Sequence, residues 1–530
     1  MIRETSSNQV SLSEFDWPFQ NKLDPDNRWV KWAQFTPWDL LSESYHENMD
    51  ARHGRPALKA RIVIGAVIIK HKLALSDRET VEQIQENPYM QYFIGRESYS
   101  SEKPFDASLF VRIRKRMGQE VFQDFTQRIV EELEQMRKGK EEGAVELSEE
   151  SSLDKTDDQS ATSSEAETEK EELKGKLILD ATVADQSIRY PTDVSLLNEG
   201  REFSEQIIDY LYRGLEQKQE GEVAQETMKK KKPRTYREKA RRDFLNFAKR
   251  RKPARKTIRK SIKQQLQYLR RNLGHIEELL SHYEEGKPLP LPNWLLRRYW
   301  VLEHLYGQQK QMYDEKVNRC EDRIVSIHQP WVRPIVRGKQ NKSVEFGAKI
   351  NVSLDEDGLA NVDHFSWDAF NEGQDLIDQV EAYKRRTGSY PEVVMVDPIY
   401  GTRANRAYLK NKGIRYGGKP LGRPRKQTPE NAEELKAEKK QRQADYRQRI
   451  PIEGKFGQGK AGYRLNEIRA RRSDTSQAWV NSIFLVMNLM VLYELFFWLL
   501  FWPNQTVIGA VLQLTQRFKT RHTKTGFVIV

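Results

Sequence analysis

Apolar positions along this chain fall into helical runs first and strand-like runs later. Residues 56–75 (PALKARIVIGAVIIKHKLAL) form one strongly apolar helical stretch. Ser76, with Glu79 three residues on, supplies a capping-box start for a helix through Gln85. A turn region over 88–95 follows, and Asp106 or Ser108 can cap a helix at 109–117. At Leu177-Ile178-Leu179-Asp180 the character changes to a short apolar run ending in an acid, the pattern of a buried strand. Helical spacing returns over 203–212, 236–251 and 258–283. Strands are then expected at 323–327, 344–354 and 359–367, the last two joined by the turn Asp355-Glu356-Asp357-Gly358. A helix at 374–386, a strand at 392–397, a helix at 403–411 and a short strand at 414–416 complete the series. The order predicts an α/β sheet split by a helical insertion at 199–320.

One run tests whether the chain meets a membrane. Residues 483–502 (IFLVMNLMVLYELFFWLLFW) are long enough to span a bilayer and are broken only by Asn488, Tyr493 and Glu494. A lone Glu at mid-span is costly in lipid, so a buried core or partner-facing helix is the expectation, and no membrane partner.

Charge sharpens the picture. The 530 residues allow two or three domains, and apolar content is about 38% when glycine replaces tyrosine in the count, against ~45–50% in ordinary globular chains. The net charge of +12 hides a segregation: residues 141–172 carry 13 acids against two lysines, whereas 229–263 carry 18 Lys/Arg against two acids. Residues 138–173 read as a disordered acidic linker. The basic segment points to a polyanionic partner, with Tyr236, Phe244 and Phe247 either forming a helix face or offering stacking platforms. It could also dock on the acidic linker. In the N-terminal block, Arg112, Arg114, Lys115 and Arg116 lie on the last short helix. Two readings stand there: a helix-turn-helix, or a solvated basic helix in an all-α bundle. The single cysteine, Cys320, excludes a disulfide scaffold and a Cys-based zinc site, and a reducing cytosol is the simplest setting. The N-terminus, MIRETSS, has no apolar signal region.

Two of the expected strands end in acids, Asp180 and Asp397. Carboxylates on rigid neighbouring strands can share hard divalent cations for phosphodiester chemistry, although Asp is common where strands end. A third cluster adds weight: Tyr446, Arg449, Glu453 and Lys460 follow the spacing Y-x2-R-x3-E-x6-K. On an ideal helix these four share a stripe about 60° wide. Pro451, Gly454, Gly457 and Gly459 argue against one continuous helix there.

This signature, with Asp180 and Asp397 upstream, resembles the DDE transposases of bacterial insertion sequences, specifically the "IS five" type. The stretches DPIYGTRANR (397–406) and LGRP (421–424) look like that family's second-aspartate region, and residues 56–118 are similar to its helical N-terminal domain. The resemblance implies a ribonuclease-H-like catalytic core with a helical insertion, preceded by an all-α N-terminal DNA-binding domain. The expected division is 1–137 for that domain, 138–173 for the linker, 174–505 for the catalytic domain and 506–530 for a C-terminal tail. Asp180, Asp397 and Glu453 would be the catalytic, Mg²⁺-binding triad, with Mn²⁺ able to substitute. Lys460 and Arg449 would grip DNA phosphate, with Tyr446 beside them. The implied function is binding of the element's terminal repeats, cleavage at its ends and joining of the 3′-OH ends to target DNA. Double-stranded DNA is the implied partner, the chain at least a homodimer, the setting the bacterial cytoplasm at the nucleoid. The alternative is a transposase-derived DNA-binding protein that no longer cleaves.

Two further motifs stand out. Gly454–Lys460 (GKFGQGK) has phosphate-loop spacing, but Ala461 stands where the Mg²⁺-ligating Ser/Thr belongs and no strand precedes it. Arg423, in Gly422-Arg423-Pro424, reads as a minor-groove hook or as a basic surface loop.

Overall fold

A computed structural model describes residues 22–47, 49, 57–131, 133–134, 173–221, 232–283, 288–336, 344–422, 425–428 and 431–501. The acidic linker as far as 172, Arg423 and the segment after 501 lie outside the described residues.

The N-terminal described residues are helical: α1 (Arg28–Phe35), α2 (Trp38–His46), α3 (Ala60–Lys72), α4 (Asp77–Glu86), α5 (Pro88–Phe93), α6 (Leu109–Arg116) and α7 over 119–131. The capping box forms as expected, with the Ser76 side chain accepting from the Glu79 amide and Glu79 accepting from the Ser76 amide. Residues 88–95 depart from the expected turn. Pro88 opens α5, because a helix's first position needs no amide donor and proline's φ already suits it.

These helices share their core with α15 (Ser473–Phe501). The Thr36 and Tyr493 hydroxyls bond at 2.6 Å, Trp32 stacks on Tyr493 and Phe35 stacks on Phe496. The window of α15 apolar enough to cross a membrane, within Ser473–Phe496, is 78% buried inside the protein. Asn488, the polar interruption at its centre, is wholly buried and satisfied. Its Oδ1 accepts from the Ala360 amide and its Nδ2 donates to the Ala360 carbonyl, both at 2.9 Å. The amide thus serves one residue of a strand as a neighbouring strand would, which removes the cost of burying it in an apolar helix.

Among the described residues, six strands form one sheet: β1 (Lys176–Asp185), β2 (Arg333–Val336), β3 (Val344–Leu354), β4 (Ala360–Ser366), β5 (Val393–Met395) and β6 (Arg415–Tyr416). β3 runs antiparallel to β1 on one side and to β2 and β4 in succession on the other; β5 is parallel to β1, and β6 to β5. One face packs on α15 and on α14 (Ala432–Gly462). The other packs on α12 (Leu376–Thr387) and α13 (Arg403–Asn411).

Three more segments differ from the expected pattern. β1 continues five residues past Asp180, because Ala181–Asp185 pair with Asn351–Gly347 of β3; Asp180 is therefore mid-strand. Gly347 is required at that crossing, since a Cβ there would stand 2.0 Å from the Ala184 carbonyl oxygen. Residues 323–327 form no strand: Ile324 and Ile327 instead plug the core of the helical insertion, and β2 begins at Arg333. Finally, α14 runs continuously through Pro451. The Arg449–Glu453 ion pair straddles the proline, while Ile452, Lys455, Phe456 and Gly459 are buried against the body, so tertiary contact outweighs the lost backbone bond.

The insertion has a core of its own, built from α8 (Asp193–Gly221), α10 (Arg255–Leu280) and α11 (Asn293–Glu315). On its outside lies α9 (Arg237–Ala248), of which Ala240 alone is buried. Arg241, Arg242, Lys249, Arg250, Arg251 and Lys252 are exposed there. Tyr236 stacks between Arg234 and Arg271, at 4.8 and 4.6 Å from ring centroid to guanidinium carbon, while Phe244 and Phe247 are half-buried.

Candidate active site

Asp180, Asp397 and Glu453 come from a strand, a turn and a helix. Asp180 sits in the middle of β1, on the face that looks toward α14, with its Oδ1 accepting from the Ala181 amide at 2.8 Å. Asp397 follows β5 directly and opens a 3-10 turn through Tyr400. That turn is anchored from beneath: the buried Tyr400 hydroxyl donates to Asn351 Oδ1 at 2.6 Å, and Asn405 Nδ2 donates to the Tyr400 carbonyl at 2.9 Å. Glu453 is carried by α14, whose approach to the sheet is fixed by Arg415 of β6. The Arg415 guanidinium grips the buried Asp445 carboxylate through two bonds of 2.7 and 3.0 Å.

The three acids converge on one cation. Arg449 Nη1 lies 3.3 Å from Asp180 Oδ2 and 3.2 Å from Asp397 Oδ1, and Nη2 donates to Glu453 Oε1. The Arg449 side chain is 11% exposed and Asp180 15%, whereas Asp397 and Glu453 are 42% and 52% exposed. The centre is closed on the sheet side and open toward solvent. Burial pushes the Asp180 carboxyl up to about 6; nearby Asp397 and Glu372 push the same way, against the Ala181 amide and Arg449. Burial opposes the charge on Arg449, but the three carboxylates outweigh it and hold that guanidinium above its ordinary value.

The donor set, three carboxylates already accommodating a cation among them, suits a hard divalent ion. As they stand they surround the guanidinium: among the described residues no three acids, histidines or cysteines lie close enough together to hold a metal.

The other sequence candidates scatter. Tyr446 is 65% exposed, with the Arg449 guanidinium 5.9 Å from its ring. Lys460 lies two turns beyond Glu453, with its Nζ 3.7 Å from Glu345 of β3. On α6, Arg112, Lys115 and Arg116 are exposed, but Arg114 is turned inward. It makes two bonds to Asp77, of 2.9 and 2.7 Å, and stacks 5.1 Å from the Trp479 ring. Lys70 joins it, 3.1 Å from Asp77 and 4.0 Å from the same ring. Asp445 went unnoticed in the sequence, although its place four residues before Arg449 and eight before Glu453 puts it on their helix face. The Tyr400–Asn351 anchor had no such signal, because it joins residues 49 positions apart.

Residues 394–490, which include Asp397 and Glu453, match the family model described as "Transposase DDE domain". Residues 17–116, which reach the end of α6, match "Transposase domain (DUF772)". The chain is also similar to "Uncharacterized protein ORF8 in nfe locus" of Rhizobium meliloti, at 36% identity over 117 residues. That match covers 21% of this chain and 56% of the relative. No solved structure matches.

Proposed function

We propose, for a chain that belongs to the DDE transposases of insertion sequences, that it binds the terminal repeats of its element, cuts the DNA at the ends and joins the freed 3′-OH ends to target DNA. The observation that carries this reading is the meeting of Asp180, Asp397 and Glu453 around Arg449.

In the proposed mechanism Asp180, Asp397 and Glu453 are the triad that holds Mg²⁺, or Mn²⁺ in its place. When bound, such an ion would lower the pKa of a water or 3′-hydroxyl and offset charge on the leaving oxygen. The chain's own part is positional. β1 fixes Asp180 in a low-exposure setting beside α14. The Tyr400 anchor fixes the turn bearing Asp397, and Arg415–Asp445 fixes the helix bearing Glu453. Asp397 and Glu453 face the solvent, from which a duplex must come. The sheet order β2-β3-β1-β5-β6, with antiparallel strands on one side of β1 and parallel ones on the other, supports a ribonuclease-H-like core.

Arg112, Lys115 and Arg116 on α6, and the exposed cations of α9 and the loop after it, are the proposed phosphate contacts. Arg449 and Tyr446 lie beside the cut, and Lys460 is a more distant contact on the same helix. Arg114 keeps a structural role in this reading. Since two ends must be held together, the working form is at least a dimer, acting on nucleoid DNA in the cytoplasm. The helices of 1–137 serve recognition and 174–505 catalysis.

A cleavage assay tests the proposal, using purified protein, Mg²⁺ and a labelled duplex carrying the element's ends, beside Asp397→Asn. Metal-dependent nicking at the element boundary, lost in the variant, is expected. Specific binding without cutting in either Mg²⁺ or Mn²⁺ would instead support the non-cleaving alternative.

A further inference from the structure

We infer that Arg449 is the built-in counter-ion of the acid triad, and that divalent cations and DNA bind cooperatively because each favours the same departure of its guanidinium. The inference rests on the triad reading above. Three carboxylates crowded without a cation repel one another, and Arg449 answers all three from a single planar group. A divalent ion bound by the same oxygens must stand about 2.0–2.1 Å from them. The guanidinium now occupies that space, so metal binding and the present Arg449 rotamer exclude each other.

Only the side chain is free to yield. Asp445, one turn before Arg449 on α14, is clamped to Arg415, and Ile452, Lys455 and Phe456 are buried just after it, so the helix backbone is held on both sides of the residue. The route out runs along the helix toward Tyr446, the exposed aromatic whose ring already lies 5.9 Å from the guanidinium carbon. Exposed Ile450 borders the same side. There the released cation sits at the solvent edge of the centre, beside the carboxylates it has left. Its remaining need is an anion, and a backbone phosphate of the duplex supplies one. Metal therefore prepares a phosphate contact, and phosphate stabilises the rotamer that admits metal; by linkage the two effects are equal in size.

The experiment measures Mn²⁺ binding to the full-length protein by titration calorimetry or by EPR of the free ion, with and without an uncleavable duplex carrying the element's end. Arg449→Gln removes the competing cation, and Mn²⁺ is expected to bind about tenfold tighter than to the unaltered protein. Adding the duplex is expected to tighten Mn²⁺ binding severalfold in the unaltered protein and to leave Arg449→Gln nearly unchanged. Arg449→Lys keeps a charge but cannot bridge three carboxylates; it should fall between the two, and it serves should the glutamine variant not fold. Mn²⁺ binding that is equal or weaker in a folded Arg449→Gln would overturn this inference alone. No Mn²⁺ uptake by either protein, with Asp397→Asn indistinguishable, would overturn the triad reading and this inference with it.

Discussion

Two charge clusters in this molecule are balanced in opposite senses. Against α15, Lys70 and Arg114 share one acid, Asp77. Against β1, Asp180, Asp397 and Glu453 share one cation, Arg449. The first has a surplus of positive charge and the second a surplus of negative. The first surplus is absorbed inside the fold, because both cations lie over the electron-rich face of Trp479 and the neighbouring His71 is held neutral by burial and by Lys70 and Arg114. The second is turned outward through the half-exposed Asp397 and Glu453. Surplus charge that the protein satisfies itself is architecture; surplus charge offered to solvent asks for a ligand.

The comparison can be broken in four ways. The largest effect is expected from Asp77→Ala, which strands two buried cations and should lose about 3–5 kcal/mol in urea unfolding. Asp397→Ala, taken from a site already rich in acid, should lose under about 1 kcal/mol. Equal losses would erase the distinction. Next, Trp479→Leu removes the ring that both cations face, and about 2–3 kcal/mol should go with it. The third concerns pH. Burial depresses Lys70 to about 8 from an ordinary 10.5, against the pull of Asp77. Between those values the unfolded chain binds more protons than the folded one, so this group makes stability rise with pH across that window. The unaltered protein should therefore gain about 1–2 kcal/mol relative to Lys70→Met between pH 7.5 and 9.5. The smallest effect on stability, within about 0.5 kcal/mol, is expected from Arg112→Ala with Lys115→Ala on exposed α6. There the change should appear in DNA binding, as a salt dependence shallower by about one per contact removed.

The sequence reveals these two clusters unequally. Asp180, Asp397, Arg449 and Glu453 are legible because local patterns carry them: acids in or after short apolar strands, and a helical spacing of four. The strands at 344–354 and the helix at 403–411 are legible for the same reason, each having a clear period. Arg114 misleads because its neighbours Arg112, Lys115 and Arg116 are identical in character. What turns it inward is Asp77, 37 positions away, and Trp479 on a helix far down the chain. Residues 323–327 mislead likewise: an apolar run suits a strand or an irregular segment equally well, and only burial of Ile324 and Ile327 in the insertion's core selects the second. Pro451 is a local rule overruled by distant packing.

The joining of α15 to the N-terminal helices also sets a timetable for folding. Thr36 and Tyr493, which close that shared core, are 457 positions apart. At ~5–20 residues per second, a ribosome needs on the order of half a minute or more to make the second after the first. Throughout that interval α3 lacks one of the helices that cover it, including Trp479, against which His71 and Lys70 pack. The growing chain is a natural client for holding chaperones, and its N-terminal helices reach their final packing only after the acids around Arg449 have been made.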